Sequence, residues 1–199
     1  MSVISDYATL KSAIQTWAVR PDSTFGNQVP MFVEMAEERL YNGASEPGDQ
    51  LYSGPLRSSV MEATGTVTMT DGVGAMPTDG LDILKIFPTG ARFGVTFTTP
   101  ERFAELNAQS SAGPPVQFTA EAGQIKVVPS LTGSLDITYY KRFPAIGPSN
   151  TTGPLLTAHG SLYLTAALIE AFTFLQLGQL AGAHVAKLKS LIAGANRTS

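Results

Sequence analysis

Residues 161–178 read SLYLTAALIEAFTFLQLG and carry a single charge, that of Glu170. A helix over residues 162–177 would be about 24 Å long, shorter than the ~30 Å hydrocarbon core of a bilayer. A carboxylate at mid-bilayer costs about 2.5–3.5 kcal/mol, which makes a membrane span unfavourable. The half of the helix opposite Glu170 is apolar without interruption, which is typical of a helix buried on most sides. The stretch therefore predicts a core or interface helix and no membrane contact.

The composition limits the classes of protein to which the chain can belong. Its 199 residues fit one domain, and only 15% of them are charged, against ~25% in ordinary soluble proteins. So little charged surface indicates that other chains cover part of the exterior. A net charge of −3 gives no basic face for nucleic acid, and the absence of cysteine excludes disulfides and thiolate chemistry. The N-terminal stretch lacks the pattern of a signal peptide, so we expect assembly in a cytoplasm.

The hydrophobic periodicity predicts helices at both ends of the chain and strands between them. Asp6 is expected to cap the first helix, Asn42-Gly43 to end the second, Thr98 or Thr99 to cap a short helix between strands, and Gly194 to end the last. We predict an α+β fold in a single domain, 1–199: a four-helix bundle from residues 1–45 and 155–195, with a central antiparallel β insertion at 60–147. The predicted helical core is Leu10, Ile14, Trp17, Phe32, Leu40, Leu164, Leu168 and Leu175.

The sequence shows no catalytic, cofactor or metal motif. His159 and His184 lie on different helices without neighbouring acids at ligand spacing, so a helix-terminal and a core role are expected. Glu34, Glu37 and Glu38 share one face of the second helix. That face predicts an acidic surface facing solvent or a channel, or, as an alternative, paired acids that cleave a glycoside. The expectation is a protein that is not an enzyme and binds no cofactor or metal.

Four stretches in this order resemble the head-to-tail adaptor proteins of tailed bacteriophages and phage-like gene transfer agents. They are VPMFVEMAEERLYNG at 29–43, EATGTVTMTDGVGAMPTDGLDILKIF at 62–87, LDITYYKRFPAIG at 135–147 and LLTAHGSLYLTAALIEAFTFL at 155–175. The second is similar to the family's strand, Asp-Gly turn and return strand, and the fourth to its most recognisable helix. The last helix of the chain fits by position.

The resemblance implies a structural protein of the virion, assembled in the host cytoplasm. Copies, commonly twelve, would form a ring that docks on the portal protein and extends the DNA channel. The ring would receive a stopper or tail-tube protein and let double-stranded DNA pass without sequence-specific binding. The alternatives are a virion-associated peptidoglycan-cleaving enzyme and a stopper or tail-completion protein lower in the neck.

The resemblance also suggests which residues carry these contacts. The portal-docking candidates are Leu191, Ile192 and Arg197, because the family docks through its C-terminal region. The subunit-interface candidates are Ala166, Ala167, Glu170 and Ala171, where small residues would allow close helix approach. The channel-facing candidates are Glu34, Glu37 and Glu38.

Overall fold

The chain folds into two units, each with its own internal contacts. This computed structural model describes residues 4–44, 52–109 and 112–197. The helical unit comprises Met1–Met61 and Phe143–Ser199, and the strand unit comprises Glu62–Arg142. Part of the loop predicted from Gly, Ser and Pro content at 44–55, namely 45–51, lies outside the described residues.

The described residues form six α-helices and seven strands. The helices are α1 Tyr7–Trp17, α2 Ser23–Gly26, α3 Val29–Asn42, α4 Pro100–Ala108, α5 Pro154–Phe174 and α6 Gly178–Asn196. The strands are β1 Glu62–Met69, β2 Val73–Ala75, β3 Gly80–Pro88, β4 Thr96–Phe97, β5 Gln117–Glu121, β6 Gln124–Val128 and β7 Gly133–Lys141. All helices except α4 belong to the helical unit.

The ends of the first helices follow the capping chemistry of their sequences. The Thr9 backbone N–H donates to the Asp6 side chain at 2.8 Å, and the Asp6 backbone N–H donates back to the Thr9 hydroxyl, which completes a capping box. Gly43 follows α3 with φ 76°, a left-handed conformation that glycine takes without strain. Thr99 caps α4. These predictions are confirmed, whereas the one-turn helix α2 was not predicted.

The prediction of a four-helix bundle is wrong. In a bundle, each helix contributes one apolar stripe to an axis that all four share. Here α1, α3 and α6 each pack against α5, which takes the central position itself. Every residue from 165 to 172 is buried, which is more than two full turns and therefore the whole circumference of α5. The mixture of helices and strands agrees with the predicted α+β class.

Five of the eight residues predicted to form the helical core are buried, and the other three are half-buried or exposed. The buried residues are Leu10, Ile14, Phe32, Leu40 and Leu168. Leu164 and Leu175 are half-buried, and Trp17 is 53% exposed. Trp17 lies on the last turn of α1 and does not enter the core. Its ring makes a T-shaped contact with the ring of His184, with the two centroids 6.2 Å apart.

The strand unit contains two sheets. One has the order β1-β7-β3 and is antiparallel throughout; the other has the order β2-β6-β5-β4. The predicted antiparallel arrangement is wrong at one pair, because β4 and β5 are parallel. The connection between them contains α4, and such a crossover allows parallel pairing. Glu62 at the start of the unit pairs opposite Tyr140 near its end, so the insertion begins and ends on adjacent strands.

Two hairpin turns in the strand unit have positive φ at both central residues. Asp71 and Gly72 have φ 49° and 80°, and Ala122 and Gly123 have φ 50° and 72°. Such turns match the right-handed twist of the strands that they join. The predicted Asp-Gly turn after β1 is therefore confirmed.

Helix α6 continues past the residue where it was predicted to end. Gly194 was expected to break the helix, but α6 runs to Asn196. The Asn196 side chain accepts a hydrogen bond from the Arg57 backbone N–H at 2.7 Å and donates one to the Pro55 carbonyl at 3.1 Å. These two bonds tie the end of α6 to the segment after α3, and they explain why one glycine does not end the helix.

Replacing Asn196 with alanine should lower the free energy of unfolding of the helical unit by about 1–3 kcal/mol, because two hydrogen bonds in a partly buried position are lost. Urea denaturation measures this change. The Arg57 amide should also exchange its hydrogen faster in the variant. Unchanged exchange at Arg57 would contradict the assignment of Asn196 as its partner.

Candidate functional site

Helix α3 has one face in the core and one in solvent. Its buried residues are Val29, Phe32, Val33, Ala36, Glu37, Leu40 and Tyr41. The outer face carries Met31, Glu34, Met35 and Glu38, all exposed. Of the three acids predicted to face a channel, Glu34 and Glu38 point outward and Glu37 points into the chain's own core. The assignment of these acids to a channel wall stays a prediction.

Glu37 connects α3 to α5 and to the segment before it. Its Oε1 accepts hydrogen bonds from the Tyr163 hydroxyl and the Ile146 backbone N–H, each at 3.0 Å. Burial, and then the neighbouring Glu37 carboxylate, raise the pKa of Tyr163 far above its usual range, so this hydroxyl remains a proton donor. The buried carboxylate therefore acts as a structural acceptor.

A second buried acid, Glu170, is paired with Arg39. The guanidinium Nη2 lies 2.7 Å and Nε 2.8 Å from the same carboxylate oxygen. Their side chains are only 14% and 8% exposed. The pair joins α3 to α5, and it could not be predicted from the sequence because its partners are far apart along the chain.

The four residues predicted to form a subunit interface lie inside the helical unit. Ala166, Ala167, Ala171 and Glu170 are all buried. The small side chains are expected to let the surrounding helices approach α5 closely. Their role in a contact between subunits stays a prediction.

The predicted portal-docking residues are in three different environments. Ile192 is buried in the core, Leu191 is half-buried, and Arg197 is exposed at the end of α6. To fill a groove on a portal, Ile192 would first have to leave its place in the helical unit. Their docking role also stays a prediction.

In the helical unit, exposed apolar side chains lie on the outer face of α3, where α1 ends and where α5 turns into α6. At the last two places they are Trp17, Val19, Phe174, Leu177 and Leu180. Val19 and Gln176, one in each turn, have φ 54° and 59°, which is unusual for residues other than glycine and costly for a β-branched one. Sequence analysis missed this surface because the same residues fit an apolar helix stripe.

The described residues of the helical unit thus form buried structural acids and exposed apolar and acidic faces, without converging reactive groups. The family model described as SU10 adaptor protein matches residues 5–199, nearly the whole chain. The chain belongs to the SU10 adaptor protein family. No curated protein matches it. The predicted resemblance to phage head-to-tail adaptors is confirmed at the level of the family.

Membership of the SU10 adaptor family makes the chain a structural adaptor of a phage and a component of its virion, with portal and tail proteins as its general partners. The described acids agree with a structural role. Glycoside hydrolysis uses two accessible carboxylates that flank the substrate, whereas Glu37 is buried beside Tyr163 while Glu38 faces solvent. This pair cannot enclose a polysaccharide.

The two histidines of this SU10 adaptor are in apolar surroundings. His159 lies at a kink in α5, with φ −130° and ψ 41°. The ring of His184 stacks on Phe172 at 5.2 Å. Burial lowers the pKa of both histidines, and Lys187 lowers that of His184 further. Across residues 4–44, 52–109 and 112–197, no three His, Asp or Glu side chains are placed to hold a metal ion.

The melting temperature of the helical unit should fall as the pH decreases from about 7 to 5.5. In the folded chain, the pKa of His159 and His184 is below the ordinary 6.5, so the unfolded chain binds more protons in this range. The contribution of the two histidines to stability is therefore present above about pH 6.5 and is lost as the pH falls through their lowered pKa values. The pKa of Asp6 and of Asp22 is lowered from 3.8, so their contribution is unchanged in this range and is lost only at more acidic pH. Calorimetry of H159Q/H184Q should show a flatter pH dependence, and an equally steep one would refute the assignment.

Helix α5 has the length and composition of a membrane span. Among the described residues it is the one helix that does, with 72% of its most apolar window buried within the structure. Core helices of soluble proteins share this length and composition. Most of this apolar window is thus covered by the chain itself.

Proposed function

We propose that the chain is the head-to-tail adaptor of a tailed phage or phage-like particle. Twelve copies form a ring that docks on the portal, extends the DNA channel and attaches the next neck or tail protein. The observation that carries the proposal is the match of the SU10 adaptor family to residues 5–199. Double-stranded DNA passes through the ring without sequence-specific binding, and the ring assembles in the host cytoplasm.

Two properties of the surface support an assembled state. Only 15% of the residues are charged, and large apolar side chains such as Trp17, Phe174 and Leu180 are exposed in the single chain. Exposed apolar side chains that lie close together are typical of surfaces that bind other proteins. The scarcity of basic residues suits a channel through which DNA must move without adhering.

The proposal is tested with the purified chain and assembled portal rings. Native mass spectrometry of the mixture should show one portal ring carrying twelve copies of the chain. Particles that lack the gene should contain packaged DNA but no tail, and the wild-type gene should restore tails. Binding to the tail tube with none to the portal would assign the chain to the stopper position. Complete tails without the gene would overturn the proposed function.

A further inference from the structure

The outer face of α3 is both apolar and acidic. Met31, Glu34, Met35 and Glu38 follow the i, i+3, i+4, i+7 spacing of one helix stripe. The two methionines are 42% and 43% exposed. Glu34 and Glu38 are exposed, and neither has a hydrogen bond or ion pair with any residue that the structure describes. This face exposes apolar surface and carries two negative charges that no described residue neutralises.

The outer face of α6 has the opposite charge and smaller side chains. Helix α6 contains no acidic residue. Lys187 lies along one edge of the exposed face, with its Nζ 5.4 Å from the centroid of the Trp17 ring, and Arg197 lies at the end of the helix. The described residues include no carboxylate paired with either cation. The side chains along the middle of the face are small and exposed: Ala183, Ala186, Ser190 and Ala193.

The two faces complement each other in shape and in charge, but they do not meet within one chain. Both are solvent-exposed, and α3 and α6 each pack against α5 by their opposite sides. Methionine is long, unbranched and adaptable, so it fills the shallow surface left by alanine and serine. Where Met35 meets Ala186, the two acids on α3 would lie within about one helix turn of Lys187. Arg197 is ten residues, about 15 Å, further along α6 and lies beyond these acids.

We infer that the α3 face of one copy binds the α6 face of the next copy. The inference rests on the proposed ring and specifies the contact that closes it. A two-fold contact of either face with its own copy is disfavoured, because it would place acids against acids or cations against cations. A two-fold contact that joined α3 to α6 on both sides would link copies only in pairs. A head-to-tail contact between two different faces repeats around a closed ring. Glu34 and Glu38 then lie between subunits and not in the channel wall.

Cysteine cross-linking tests the contact, and the chain has no cysteine of its own. Met35 and Ala186 lie near the middles of α3 and α6, so they should come close whether the helices run parallel or antiparallel. Under oxidation on portal rings, M35C/A186C should give a ladder of linked copies. M35C alone and the control M35C/T157C, whose second cysteine is on α5, should give none. A ladder from the control equal to that of M35C/A186C, or dimers from M35C alone, would overturn the head-to-tail contact.

Charge reversal gives an independent test. E34K/E38K and K187E should each reduce ring assembly by about tenfold or more, because like charges then face each other. An equal mixture should assemble again, because in a ring that alternates the two variants every contact joins opposite charges. Circular dichroism of each variant checks that it is folded.

Normal rings from each variant alone, as expected if the acids line the channel, overturn the contact and leave the proposed function intact. A wild-type chain that forms no ring on the portal overturns the proposed function and this contact with it.

Discussion

Replacing Arg39 with leucine should lower the free energy of unfolding of the helical unit by about 3–5 kcal/mol. The substitution leaves Glu170, which is 8% exposed, without the guanidinium that lies 2.7 Å from its carboxylate. A buried charge without a partner costs far more than the pair contributes when intact. Urea denaturation followed by circular dichroism measures the change.

Two control variants show whether the stability is lost because a buried charge is left unpaired or because an ion pair is removed. The double variant R39L/E170L should recover most of the lost stability, because it removes both charges and leaves apolar side chains of similar size. R20L removes an exposed pair with Asp22 in the same unit and should change the stability little. If R39L and R20L had equal effects, the Arg39–Glu170 pair would not be the buried element that the distances indicate.

Truncating Leu168 to alanine should lower the free energy of unfolding by about 2–5 kcal/mol. Leu168 lies in the stretch of α5 that is buried around its whole circumference, and its side chain is 1% exposed. Removing it leaves a cavity that surrounding helices can fill only in part. Thermal and urea denaturation should agree on the loss.

Leu180 provides the control for this prediction. It is a leucine in the next helix, but it is 48% exposed, so L180A should change the free energy of unfolding by about 0.5 kcal/mol or less. In the assembled ring, the same variant could weaken a contact that the single chain does not show. Equal losses of stability for L168A and L180A would contradict the central position of α5.

Local chemistry explains which parts of the fold the sequence could predict. The cap at Asp6, the turn at Asp71-Gly72 and the helix end at Gly43 each depend on residues within one turn, so they were predictable. The central position of α5 depends on which helices surround it. A helical wheel assigns Glu170 to a polar face, whereas the structure buries it because Arg39 is there to pair with it. Patterns along one helix cannot show that partner.

The candidate surfaces were less predictable than the fold for the same reason. Asn196 stabilises the end of α6 through a bond to Arg57, 139 residues earlier in the chain. Without that contact, Gly194 would be expected to end the helix. Likewise, an acidic stripe on α3 predicts a charged face, but only the packed structure shows that Glu37 is inside and Glu34 and Glu38 are outside. The functional assignment came from the order of whole segments and not from any single site.

The division of the helical unit between the two ends of the chain determines the order in which the protein can fold during translation. Helices α1 and α3 leave the ribosome early, but α5, against which both pack, follows the entire strand unit. At roughly 5–20 residues per second of synthesis, the interval between Asn42 and Phe174 is on the order of ten seconds. The strand unit is continuous in sequence and can fold during that interval. The apolar side of α3 meanwhile remains without its partner, so nascent chains are exposed to chaperones and proteases until α5 has left the ribosome.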